Sequence, residues 1–242
     1  AGHQLRREAA FLADSETLDA AAAETALQLL ELQQEPVGPE ALELADRLAA
    51  REQFLPIALP ALEKLMEQVP RSDELWRQAA LSAARVHSSN AARHAAAGQH
   101  SEALIEQRRA SQLRIDGLGD RHPATLTSLS NLAYIYHAMG EPKRALPLFE
   151  QCYATRVEVL GDRHPATLTS LSNLAYIYHA MGEPKRALPL FEQCYATRVE
   201  VFSDRHPDTL TSLNNLAYIY HAMGEPKRAL PLYEQCYATR LE

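Results

Sequence analysis

The chain has 242 residues, of which 46% are hydrophobic and 23% are charged. This balance is typical of a folded protein and too apolar for a disordered one. The formal net charge is -7, and all of the excess acid lies in residues 1–120, with 12 basic against 19 acidic residues. The rest is neutral and offers no basic stripe, which argues against nucleic acid. No apolar run approaches the ~18 residues of a membrane span, and no segment has the pattern of a signal peptide.

Two segments precede the most regular part of the chain. Residues 1–38 are predicted to form a helical lead-in, with one helix from Ser15 to Gln34 whose apolar side chains recur at helical spacing. Residues 39–78 are predicted to form a helical hairpin, because the apolar spacing is helical over 40–53 and again over 56–69.

The remainder of the chain is built from an internal repeat. The stretch 127–153 recurs almost letter for letter at 169–195 and 211–237, which fixes the period at 42 residues. Shifting the sequence back by one period reveals a divergent copy. We therefore predict four repeats, the first divergent and the last four residues short of a full period: 79–120, 121–162, 163–204 and 205–242.

Each repeat is predicted to be a pair of helices. In the first clear copy, helix A begins at Pro123, which suits a first helical position because the missing N–H has no partner there. Gly140 supplies the positive φ that ends a helix, and Pro142 opens helix B two residues later. Because the turn is so short, the two helices must be antiparallel neighbours.

The apolar residues of helices A and B follow the spacing of one buried face. Helix B also carries the cysteines, one at the same position in each clear repeat, too far apart to form disulfides with one another. We expect three reduced thiols of a cytosolic protein, each a small side chain where helices approach closely. The predicted core of the first clear copy is Leu126, Leu129, Leu132, Ala133, Tyr136, Ala145, Phe149, Cys152 and Tyr153, with Leu146 or Leu148.

The motifs 131–133, Gly140, Ala145, 147–149 and 160–165 resemble the 42-residue tetratricopeptide repeats of kinesin light chains and related bacterial repeat proteins. The resemblance is strong over the three clear copies and faint in the divergent one. It implies an all-α protein, an α-solenoid of antiparallel helix pairs wound into a right-handed superhelix. It also implies that the A helices line a concave groove that holds peptides or partner segments.

The resemblance places one stripe of each A helix on that inner face, including Ser130. The spacing agrees independently, because these positions fall on one side of a helix beside the leucine stripe. The predicted binding residues are Thr127, Asn131, Tyr134, His137, Asn173, Tyr176, His179, Asn215, Tyr218 and His221.

Each of these residue types has two interpretations. An asparagine amide suits the backbone of an extended peptide, as in the family, but it could equally bridge to the neighbouring helix. Tyr134 could contact a partner or pack on the next A helix, whereas Tyr136 is expected to pack. Histidines about 10 Å apart cannot share one metal ion, so no metal site is predicted. The pattern includes no catalytic triad, phosphate loop or paired-carboxylate motif.

The leading hypothesis is a non-enzymatic, cytoplasmic scaffold that binds a protein or peptide along the A helices, without cofactor, nucleic acid or membrane. One alternative is self-association, because the last B helix would present Leu230, Tyr233, Cys236 and Tyr237 without a following helix to cover them. Another is the sensor arm of a larger signalling enzyme whose catalytic domain lies outside this sequence.

Overall fold

A computed structural model describes residues 39–51 and 54–241, so the lead-in helix predicted at Ser15–Gln34 lies outside the described residues. Within the described ranges the chain forms ten helices and no strand, as the repeat pattern predicts. The helices are α1 Pro39–Ala49, α2 Leu55–Gln68, α3 Glu74–Ala96, α4 His100–Leu118, α5 Pro123–Ala138, α6 Pro142–Leu160, α7 Pro165–Ala180, α8 Pro184–Phe202, α9 Pro207–Ala222 and α10 Pro226–Leu241. Of these, α5, α7 and α9 are the A helices and α6, α8 and α10 the B helices of the clear repeats.

The chain divides into two compact units, one ending at Ser128 and the other beginning at Leu129. In the first unit, α1, α2 and α3 pack on one another around a core that includes Leu62 and Trp76. Helix α3 also packs along α4. Polar groups are buried here too, since the Gln107 side chain donates to both the hydroxyl and the backbone carbonyl of Ser128. Each of these buried groups thereby keeps a hydrogen-bond partner.

In the second unit, each described helix from α6 onward packs against the next along the chain. The leucine stripe of each A helix is buried as predicted, and so are the alanine, phenylalanine and cysteine positions of the B helices of the first two clear repeats. Leu168 and Leu171 of α7, for example, form one cluster with Cys194 of α8, and Tyr153 of the preceding B helix packs against it. Neighbouring repeats therefore share one continuous apolar interior.

The turns follow the residues that the sequence singled out. Gly140 has a φ of 75°, the left-handed conformation that ends helix α5, and its amide donates to the His137 carbonyl. At the start of α7, the Nδ1 atom of His164 accepts a hydrogen bond of 3.1 Å from the amide of Ala166. The histidine before each proline is thus a helix cap, in agreement with its predicted role as a loop hydrogen-bonder.

A buried arginine joins successive repeats. Arg198 of α8 is 6% exposed, and its guanidinium donates to the Ser212 hydroxyl and to the Asp208 carbonyl, both in α9. It also donates to the Thr169 hydroxyl of α7. One side chain therefore links three consecutive helices through neutral acceptors, which fixes their register without an ion pair. Arg156 is equally buried and donates to Ser170.

None of the helices in the described part of the chain is long and apolar enough to cross a membrane.

Candidate functional site

The A helices carry two tyrosines per repeat, and the structure separates them. Tyr136 is buried at 6% exposure, as its predicted packing role requires. Tyr134, Tyr176 and Tyr218 stand two residues earlier and keep 42%, 43% and 48% of their surface exposed. Because aromatic side chains that large are costly to leave in water, three equivalent exposed rings form the most distinctive surface of the second unit.

These exposed rings contact the histidines of the preceding repeat. The rings of His137 and Tyr176 meet edge to face with centroids 5.2 Å apart, and the His137 Nε2 atom lies 3.2 Å from the Tyr176 hydroxyl. His179 and Tyr218 repeat this arrangement, with centroids 5.3 Å apart and an Nε2 to hydroxyl distance of 3.4 Å. The stripe is therefore a connected ladder of side chains that holds each tyrosine ring in place.

The asparagines make bridges within the same ladder. The Tyr134 hydroxyl donates a hydrogen bond of 2.6 Å to the Oδ1 atom of Asn173, and the Asn215 amide donates to the Ser172 hydroxyl at 3.4 Å. The bridging interpretation is thus realised for these two amides. Burial raises the pKa of Tyr134 above its ordinary value of 10.0, with a smaller contribution from Tyr176, so this hydroxyl stays protonated and able to donate at neutral pH.

Two predicted positions differ from the simple picture of an open polar stripe. The Thr169 hydroxyl is committed to its own helix, donating to the Pro165 carbonyl at 3.0 Å, and Thr127 of the first unit does the same with Pro123. Ser130 was expected on the inner face but is buried at 6% exposure, where it contacts the Cys152 thiol. Its neighbour Asn131 takes the exposed position.

Sequence reasoning missed a second polar cluster that joins the repeats. The Arg186 guanidinium lies 4.0 Å from the centroid of the Tyr178 ring and donates to the Tyr178 hydroxyl and the Glu183 carboxylate. The Tyr178 hydroxyl in turn donates to Glu150 of the preceding B helix at 2.8 Å. The signal was present in the sequence, because the run Glu-Pro-Lys-Arg recurs in every clear repeat, but nothing in it indicated the tyrosine partner.

The remaining candidate groups are structural. Cys152, Cys194 and Cys236 are free thiols and buried, and burial raises the pKa of Cys152 and of Cys194. A thiol that ionises reluctantly is a poor nucleophile, which suits a packing role. In the part of the chain that the structure describes, no group of three or more histidine, cysteine, aspartate or glutamate side chains is placed to hold a metal ion.

Comparison with solved structures identifies the fold independently. The chain is 29% identical to the nearly identical TPR-like repeats of a Podosopora anserina protein described as a kinesin light chain, covering 83% of this chain and 92% of that one with a TM-score of 0.60 to 0.61 between coverage-matched forms of that protein. It also matches BtubC from P. vanneervenii, at 16% identity, 99% and 89% coverage and a TM-score of 0.63. YrrB, a TPR protein, matches at 16% identity, 93% and 95% coverage and a TM-score of 0.55.

Comparison with curated protein sequences gives no match. The sequence profile of the tetratricopeptide repeat family, in contrast, matches residues 82–157, 145–198 and 196–242, which together span well over half of the chain. With the paired helices, the glycine turns and the 42-residue period, these matches are decisive. The chain belongs to the tetratricopeptide repeat family, in its kinesin-light-chain-like class.

Proposed function

We propose that the chain is a non-enzymatic protein-binding scaffold that holds a peptide, or an extended segment of a partner, along the exposed stripe of its A helices. The observation that carries the proposal is the contrast between the two tyrosines of each A helix. Tyr178 is 7% exposed and belongs to the interior, whereas Tyr176 is 43% exposed on a helix of the same repeat. Stiff aromatic rings held in fixed positions are the side chains that most often anchor a protein interface.

The chemistry around the rings also suits a peptide. The stripe is formed by threonine, asparagine, tyrosine and histidine, and an asparagine amide can both donate to and accept from a backbone. Asn173 offers up to four hydrogen bonds, of which the contact with Tyr134 uses one. Two of the structurally similar proteins are described by their peptides: YrrB has an unusual peptide-binding site, and a Rap protein was solved with Competence and Sporulation Factor.

The repeat boundaries are part of this proposal. We assign 79–120 as a divergent copy, because Gly98 and Gly119 take positive φ values of 74° and 84°, as Gly140 and Gly161 do at 75° and 85°. Each pair is separated by one 42-residue period. Helix α4 carries Gln107 where the clear copies bury an aromatic ring, so the divergent copy keeps the turns but replaces apolar packing with buried hydrogen bonds.

A double substitution tests the stripe. Peptides would be selected from a displayed random library on the wild-type chain, and their affinities measured by fluorescence anisotropy. Changing Asn173 and Tyr176 together to alanine should weaken the selected peptides by about tenfold or more, since interface aromatics commonly contribute at least that much. Both side chains are at least partly exposed, so helicity and thermal melting should change little.

Val159→Ala is the matched control for that test. This side chain has the same 43% exposure as Tyr176 but lies on a B helix, so its truncation should leave peptide affinity unchanged. Equal affinity of the selected peptides for the wild type, the control and the double variant would show that the stripe is not the binding surface.

Self-association is a second candidate, favoured by a specific feature of α10. Leu230 and Tyr237 of this helix are 58% and 68% exposed, whereas Tyr195, the counterpart of Tyr237 one repeat earlier, packs against Leu210 and Leu213. Light scattering after size exclusion, at several concentrations, should show a shift to larger species that is abolished by Tyr237→Glu. A single monomeric species throughout would exclude this candidate.

A further inference from the structure

The stripe repeats its chemistry without change along the second unit. The same residue types stand at each of its positions in all three clear repeats, although nearby positions on the same helices vary, such as Ser172 against Asn214. The three tyrosines are also alike in exposure, at 42% to 48%. Three equal subsites in a row favour a ligand that itself repeats, since each subsite selects for the same ligand group.

The contacts between repeats set the spacing of these subsites. Tyr134 hydrogen-bonds to Asn173 at 2.6 Å, and His137 meets Tyr176 ring to ring, so successive A helices are in direct side-chain contact. His179 and Tyr218 continue the same contact. Axes of helices packed in this way lie ~8–10 Å apart. The tyrosine subsites therefore recur at about that interval.

One peptide conformation matches both the interval and the direction of its side chains. A polyproline II helix has three residues per turn and rises ~3.1 Å per residue, so every third side chain returns to the same face after ~9 Å. A β-strand alternates its side chains, which turns residues i and i+3 to opposite faces. An α-helix returns to one face after seven residues and ~10.5 Å, but its backbone groups are already bonded and cannot use an asparagine amide.

The polar groups between the rings agree with the first of these conformations. A polyproline II segment has no internal hydrogen bonds, so its backbone carbonyls remain available to amide donors. Asn131 is exposed, and Asn173 and Asn215 are half-buried between successive exposed tyrosines. The stripe contributes no carboxylate, lysine or arginine, so it offers no charged partner to a charged side chain. Aromatic surfaces are the usual docking sites of proline-rich segments.

We propose that this stripe binds a polyproline II segment with proline at every third position, each proline lying on one of Tyr134, Tyr176 and Tyr218, and its carbonyls accepting from the asparagines. This inference rests on the proposed peptide-binding function and names the class of peptide.

The test compares two peptides of equal composition. The probe is Ac-(Pro-Ala-Thr)4-NH2 with a fluorescent label, and the reference is its isomer in which the prolines are unevenly spaced. Titration against the whole chain, followed by anisotropy, should give an affinity for the periodic peptide about tenfold higher than for the isomer. Tyr176→Ala should remove most of that advantage, and raising the NaCl concentration should leave it unchanged because the contact is uncharged.

Ring-selective NMR of labelled tyrosines supplies the second readout. The periodic peptide should shift the signals of the exposed Tyr176 and leave those of the buried Tyr178 in place. Equal affinity for the two isomers, with library-selected peptides still sensitive to Tyr176→Ala, would overturn the polyproline assignment and leave the peptide-binding stripe intact. If the selected peptides are also insensitive to Tyr176→Ala, both this inference and the proposed function are wrong.

Discussion

Ser203 provides the sharpest test of how the repeats are built. It closes helix α8 with φ 88° and ψ 166°, while the equivalent Gly161 closes α6 with φ 85° and ψ 161°. That region of backbone space is essentially reserved for glycine, and another residue held there costs ~1–3 kcal/mol. Ser203 is therefore strained, and the surrounding repeats keep it in a conformation that it would not adopt alone.

Replacing Ser203 with glycine should relieve this strain. Glycine adds up to ~1 kcal/mol of backbone entropy to the unfolded chain, so the net stabilisation should be about 1–2 kcal/mol. For a protein of this size each kcal/mol raises the melting temperature by roughly 2–4 °C. Thermal unfolding followed by circular dichroism should therefore show an increase of roughly 2–8 °C for Ser203→Gly.

The sequence offers a reciprocal variant and a control. A side chain added at Gly161 would meet nothing within 4 Å, so Gly161→Ser should lose about the same free energy through the backbone alone. The two changes lie one period apart, and combined they should nearly cancel. Ser203→Ala keeps the strain and should change stability by less than ~0.5 kcal/mol. A Ser203→Gly chain no more stable than Ser203→Ala would refute the argument.

Further predictions concern the interior of the second unit. Phe191→Ala should destabilise it by ~3–5 kcal/mol in denaturant titrations, because this ring is 4% exposed, whereas the half-buried Tyr233 at the same position one repeat later should cost clearly less when truncated; equal losses would contradict this. Cys194 is fully buried with a raised pKa, so a thiol reagent should modify it only as fast as the chain unfolds, and rapid labelling of the native protein would argue against a packing role. Burial and the hydrogen bond to a glutamate raise the pKa of Tyr178 above its ordinary 10.0. Its contribution to stability is therefore complete below pH 10 and lost as the pH rises through the folded-state value, so Tyr178→Phe should be less stable at pH 7 but lose less stability above pH 10; parallel pH curves for the two chains would count against this.

The stripe and the core respond differently to substitution, which allows the two kinds of prediction to be separated. Tyr176→Ala should change peptide affinity with little loss of stability, because the ring is exposed, whereas Phe191→Ala should lower stability. A chain that unfolds on Tyr176→Ala would show that the histidine and tyrosine ladder is structural. The affinity and denaturation measurements together therefore distinguish binding from packing.

The sequence by itself determined the helix pairs, the turns and the buried stripe. Leu168 and Leu171 could be placed in the interior because the spacing of apolar residues along one helix is a local property. Gly140 could be assigned a left-handed turn because only glycine adopts that backbone conformation without strain. Threefold repetition strengthened these predictions, since an identical sequence in an identical setting must fold in the same way.

Only the tertiary structure decided which side chains meet across repeats. Whether Asn173 bridges to Tyr134 or stands free depends on the rotation of one A helix against the next and on the rotamers of long side chains. The burial of Arg198 among neutral acceptors likewise required three helices to converge on one guanidinium. Periodicity along one chain carries no information about those distances, so the sequence placed Tyr176 on a surface stripe while the structure supplied its histidine partner.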